Sequence, residues 1–127
     1  MGRMRESALK GAKVLILEDE YFLADDLARA LRDAGAQPVG PVNSVQQAED
    51  LVARETPDAA ILDLNLRGEM ASGFVERLAA SNVRCLIVSG YASDSFPDIG
   101  SGVPRMEKPV SPASVMASLA AELSRAR

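Results

Sequence analysis

The chain has 127 residues, 47% of them hydrophobic, with 18 acidic against 14 basic side chains and a formal net charge of -4. That is enough for one domain with a proper core, and an acidic balance without a Lys/Arg cluster speaks against direct nucleic-acid binding. With no histidine and a single cysteine, the Ser/His/Asp and Cys/His triads, His-based zinc sites and any intramolecular disulfide are all excluded.

Residues 1–12 have no periodicity and read as an N-terminal arm, with the domain over 13–127. Val14-Leu15-Ile16-Leu17 is the first of three short, continuous apolar runs; the others are Ala59-Ala60-Ile61-Leu62 and Cys85-Leu86-Ile87-Val88. Such runs predict strands buried on both faces, as in a parallel sheet. They also fall far short of the roughly 20 residues that span a bilayer. The N-terminus lacks a secretory h-region, so a cytoplasmic location and no membrane partner are expected.

Helical periodicity fills the gaps. From Tyr21 to Ala34, the residues Leu23, Leu27, Ala30, Leu31 and Ala34 share a face, and Gly35 supplies the stop. Residues 37–42 contain Pro38 and Pro41, which predicts an edge strand. Asn43 or Ser44 caps a second helix carrying Val45, Ala48, Leu51 and Val52, which ends before Pro57. A third helix spans about residues 73–81, with Phe74, Val75 and Leu78 inward. A short strand is expected over 103–106. The last helix starts with Ser111 as cap and Pro112 in its first turn, and buries Val115, Leu119 and Leu123. Cys85 reads as a core thiol.

Between Val88 and Val103 an α/β alternation calls for a fourth helix. Glycines, serines and Pro97 replace the apolar period there, so a loop or a very short helix is expected. The whole pattern predicts a doubly wound, five-stranded parallel sheet of flavodoxin-like order 2-1-3-4-5, with helices on both faces.

In such sheets ligands bind beyond the carboxyl ends of the strands. Those ends deliver Glu18 and Asp19, then Asp63, Ser89 and Lys108. Clustered carboxylates raise each other's pKa unless a cation neutralises them, and Mg²⁺ suits hard oxygen ligands. Metal, ammonium and an attacking carboxylate are the parts of a phosphoryl-transfer site. Each residue also has a plainer reading: Glu18, Asp19 and Glu20 as helix caps, Ser89 as a turn residue, Lys108 as a solvated charge.

In their order, VLILEDE, ILDLNL, IVSGYA and MEKPV resemble the receiver domain of two-component response regulators, over about residues 13–126. The resemblance implies that Asp63 accepts a phosphoryl group from a phosphohistidine on a sensor histidine kinase or histidine phosphotransfer protein. It implies that Asp19, Asp63 and the backbone carbonyl of Asn65 bind Mg²⁺, with Glu18 assisting. Lys108 would pair with the phosphoryl oxygens, Ser89 would hydrogen-bond them, and the Lys108–Pro109 peptide would be cis. Glu18 stands where an Asp is more usual. Ser89-Gly90-Tyr91 resembles the divergent group with a Thr-Gly-Tyr-like sequence after the fourth strand. Arg105 occupies the place of the switch aromatic, a role for which Tyr91 is the candidate. The expected function is a stand-alone receiver, a phosphoacceptor rather than a classical enzyme, that signals through a downstream protein partner. The segment 92–102, together with the final helix on the side of Met106 and Val115, is its expected contact surface. The alternatives are a receiver fragment of a larger regulator, a receiver that binds partners without phosphate, and an aspartyl-phosphate hydrolase of haloacid-dehalogenase type, which usually has a second Asp where Asn65 stands.

Overall fold

A strand made only of apolar residues is stable where both of its faces are covered. The computed structural model, which describes residues 7–90 and 102–125, has this arrangement. The elements run β1 (Lys13–Leu17), α1 (Tyr21–Asp33), β2 (Gln37–Val42), α2 (Val45–Arg54), β3 (Ala59–Leu62), β4 (Asn65–Leu66), β5 (Glu69–Met70), α3 (Ser72–Ala80), β6 (Arg84–Ser89), β7 (Arg105–Glu107) and α4 (Pro112–Arg125). The main sheet has the order β2-β1-β3-β6-β7, and every pairing in it is parallel. With the small β4-β5 hairpin set apart, this is the expected 2-1-3-4-5. The expected loop or short helix after Gly90 and the candidate switch residue Tyr91 lie outside the described residues.

Alternation along the strands divides the core in two. Val14, Ile16, Ile61, Leu86 and Val88 face α1 and α4, packing on Leu27, Leu31, Val115 and Leu119. Leu15, Leu17, Ala60, Leu62 and Ile87 face α2 and α3, packing on Ala48, Phe74, Val75 and Leu78. Cys85 is buried in the second layer.

The helix ends follow local chemistry. Gly35, at φ 85°, ends α1 in a Schellman motif, with Ala36 N–H donating to Leu31 O at 2.8 Å. Asn82, at φ 67°, does the same for α3, where Val83 N–H reaches Leu78 O at 3.1 Å. Ser44 caps α2 by accepting from Gln47 N–H at 3.2 Å. Ser111 accepts from Ser114 N–H at 3.1 Å at the start of α4.

Four details differ from the sequence reading. The buried face of α1 is Ala24, Leu27, Ala28 and Leu31; Leu23, Ala30 and Ala34 are only partly covered, because the stripe turned to the core is centred on Leu27, Ala28 and Leu31. The last strand is Arg105–Glu107, shifted from 103–106. Val115 is fully buried, as its place on the inner face of the last helix requires, so of the two residues that mark the expected partner side only Met106 is partly exposed. A 3₁₀ turn, Ser7–Leu9, precedes β1 and seats Leu9, 1% exposed, in the first core layer. Three residues are too few to show a period.

Candidate phosphoacceptor site

The acidic triplet sits where β1 gives way to α1. Glu18 N–H still pairs with Val42 O at 3.0 Å, extending the sheet by one residue. This draws the Glu18 side chain inward to 1% exposure. Its Oε2 accepts from Glu20 N–H at 3.0 Å, so part of its role is to serve the helix start. Glu20 itself is the N-cap residue of α1, yet its side chain makes no cap hydrogen bond. It turns to Lys108 instead.

Asp63 follows β3, held by its N–H to Leu17 O at 2.8 Å. It is 5% exposed. Lys108, just beyond β7, is fixed by its N–H to Ser89 O at 2.7 Å, and its peptide to Pro109 is cis. The Lys108 Nζ lies 3.0 Å from Glu18 Oε2 and 3.1 Å from Asp63 Oδ2, and it also pairs with Glu20. Three carboxylates thus converge on one ammonium, from chain positions up to 90 residues apart.

Burial pushes the pKa of Glu18 up from 4.5 to about 7, and the nearby charge of Asp63 adds to the rise; Glu20 N–H and Lys108 oppose it. For Lys108 burial acts to lower the pKa, but its hydrogen bonds to Glu20, Glu18 and Asp63 outweigh it and hold the ammonium above its ordinary value. The lysine is therefore a fixed cation here.

Asp19 joins the cluster. Glu18, Asp19 and Asp63 each offer a carboxylate oxygen, all within 4.8 Å of one another. Such a donor set fits a hard divalent cation with several coordinated waters. Asp19, Glu20, Asp63, Asn65, Arg67, Gly90 and Lys108 line an open cleft of about 400 Å³ beside it. Ser89 ends β6 at the same sheet edge and is buried.

The loop after Asp63 is shaped by the hairpin. Asn65 N–H donates to Asp63 Oδ1 at 3.1 Å, and Asn65 Oδ1 accepts from Gly68 N–H at 2.7 Å. Glu69 Oε1 accepts from Val45 N–H at 3.3 Å, tying the hairpin to the start of α2. From its tip Arg67 reaches back, Nε to Asp19 Oδ2 at 3.6 Å.

Glu18, Asp19, Asp63, Asn65 and Lys108 are thus brought together as the sequence suggests. Two further participants are not evident from the sequence. Glu20 reads there as a helix cap, although a third acid in a row is itself a signal. Arg67 sits in Leu66-Arg67-Gly68-Glu69, where only the Gly marks a turn.

No protein-family model matches the chain. Among curated proteins it is 30% identical over 76 residues to transcriptional regulatory protein PdtaR of Mycobacterium tuberculosis, and 30% identical over 81 residues to sporulation initiation phosphotransferase F of Bacillus subtilis. These matches take up 60% and 62% of this chain but only 37% and 64% of those proteins. Among solved structures, SdrG from Sphingomonas melonis is 35% identical with a TM-score of 0.76, over 90% of this chain and 97% of that one. A CheY-like response regulator receiver domain from Methanospirillum hungatei superposes with a TM-score of 0.80 at 19% identity, over 92% and 97%. A response regulator from Burkholderia pseudomallei, with a phosphorylated aspartic acid and a calcium ion, gives 0.73 at 23% identity, over 90% and 71%. On the identity to SdrG and on the sheet it shares with these structures, the chain belongs to the receiver domains of response regulators.

Proposed function

We propose that Asp63 accepts a phosphoryl group from a phosphohistidine of a sensor histidine kinase or histidine phosphotransfer protein, with Mg²⁺ bound at Asp19, Asp63, the Asn65 carbonyl and Glu18. The observation that carries this reading is the contact of Lys108 Nζ with both Glu18 and Asp63, beside an acidic cluster that fits a divalent cation. A carboxylate oxygen of Asp63 attacks phosphorus in line. The bond from phosphorus to the imidazole nitrogen breaks, and the departing imidazole keeps the electron pair and takes up a proton. Lys108 offsets charge on the transferring oxygens; a bound Mg²⁺ would share that task. Ser89 then hydrogen-bonds the phosphoryl group and, with Tyr91, acts as the switch that a downstream protein partner reads. Two relatives support the reading, one being named a phosphotransferase and the other carrying a phosphorylated aspartic acid and a calcium ion.

The test is treatment with acetyl phosphate and Mg²⁺, followed by intact mass and peptide mapping. Wild type is expected to gain one phosphoryl group on Asp63. Asp63→Asn should gain none while keeping a similar melting temperature, because Asn can still accept from Asn65 N–H. A stable phosphoryl elsewhere in Asp63→Asn, or none in wild type, overturns the assignment.

A further inference from the structure

Arg67 occupies a position whose backbone suits other residues better. The loop Arg67-Gly68 has both φ angles positive, 55° and 97°, the type I′ hairpin geometry that favours Asn, Asp or Gly at its first position. An arginine there holds a left-handed backbone at a cost of about 1 kcal/mol. Its side chain is 84% exposed, and its pairing with Asp19 at 3.6 Å is long, so it contributes little to stability. A strained residue that stabilises the fold so little, set at the mouth of a charged cleft, points to function.

Charge says which function. Glu18, Asp19, Glu20 and Asp63 face Lys108 and Arg67; even with Glu18 protonated, three carboxylates against two cations leave the cleft negative, a charge that a divalent ion would offset. Lys108 is locked among three acids, 13% exposed. Arg67 is the cation with freedom to leave. Asp19, the group it covers, is a member of the acidic cluster.

We propose that Arg67 is a displaceable countercharge. This rests on reading the site as a metal-dependent phosphoacceptor. In the metal-free domain Arg67 neutralises Asp19. When a divalent cation takes Asp19, the guanidinium is released and turns its forked donors to phosphoryl oxygens entering the cleft, a geometry that a lysine would not reproduce. Cation and phosphoryl binding are thereby coupled through one side chain, and Arg67 favours the phosphorylated state while opposing metal in the empty one.

The two effects have opposite signs, which a purely structural role would not give. Arg67→Asn is the informative variant, since Asn tolerates the left-handed turn and removes the charge and its forked donors without adding backbone strain; Arg67→Lys keeps charge without the fork. Titration calorimetry with magnesium chloride is expected to show Arg67→Asn binding Mg²⁺ roughly two- to fivefold more tightly than wild type, the range set by exposed ion pairs. Beryllofluoride, a phosphoryl mimic, should bind several-fold more weakly to the same variant at saturating Mg²⁺. Arg67→Lys should stay near wild type for Mg²⁺ and lose affinity for beryllofluoride. Unchanged or weaker Mg²⁺ binding by Arg67→Asn overturns the proposal, as does unchanged beryllofluoride binding. A wild-type protein that fails to bind Mg²⁺ overturns the metal site itself, a result distinguishable from failure of the variants alone.

Discussion

Glu18 is a carboxylic acid held where its neutral form is favoured. Burial, aided by the charge on Asp63, carries its pKa from 4.5 to about 7 in the folded domain. The folded state therefore keeps this proton over a range in which the unfolded chain has released it. The stabilisation is fully present below about pH 4.5 and is lost as pH rises through about 7, amounting to about 3 kcal/mol. Urea denaturation in EDTA should show stability falling across that window, and Glu18→Gln should abolish this part of the slope. Cys85 is a simpler case. Burial raises its thiol pKa to about 12, so almost no thiolate exists at pH 8. Labelling by a maleimide should be slow in the native protein and rapid in denaturant; fast native labelling would contradict the buried place of Cys85.

The β4-β5 hairpin does more than its four strand residues suggest. It anchors Asn65 against Asp63, supports the start of α2 through Glu69 and carries Arg67 to the cleft. All three depend on the turn, in which Gly68 sits at φ 97° with open space where a Cβ would project. Gly68→Ala should therefore destabilise through backbone strain rather than collision, by about 1 kcal/mol, or a few degrees in melting temperature. Restoration by any bulkier L-residue would argue against that cause. The hairpin is also the element least legible in the sequence. Two-residue strands have no alternation to detect, and Arg-Gly is not among the pairs that announce a tight turn. The long strands are legible for the opposite reason: covering both faces leaves room only for apolar residues, as in 14–17 and 85–88. Asp63 stands out because it follows such a run. The tie between Glu20 and Lys108 cannot be read along the chain, since it joins residues 88 apart and arises only from strand order.

Across the whole molecule, the two core layers hold the sheet, and the sheet holds the charges. Electrostatic repulsion at the edge of β1 and β3 is carried by packing below it, and a cation bound only by the native state should offset part of this. The melting temperature is expected to rise with millimolar Mg²⁺ at pH 8, and about 1.4 kcal/mol of stabilisation corresponds to a concentration ten times the dissociation constant. Asp19→Asn should blunt the response, since it removes a charge from the donor set. A wild-type melting curve indifferent to Mg²⁺ would speak against the cation site. Among the described residues no helix is long and apolar enough to cross a membrane.

Lys108 lies 90 residues beyond Glu18 and 45 beyond Asp63, and its strand, β7, is the last to join the sheet in chain order. A nascent chain emerging from the ribosome exposes every acid of the cleft well before the ammonium that balances them. On the function proposed above, competence to receive a phosphoryl group would come late in synthesis, once the far edge strand has docked. A truncated product ending before residue 105 should display Asp63 without Lys108 and take up little phosphoryl from acetyl phosphate.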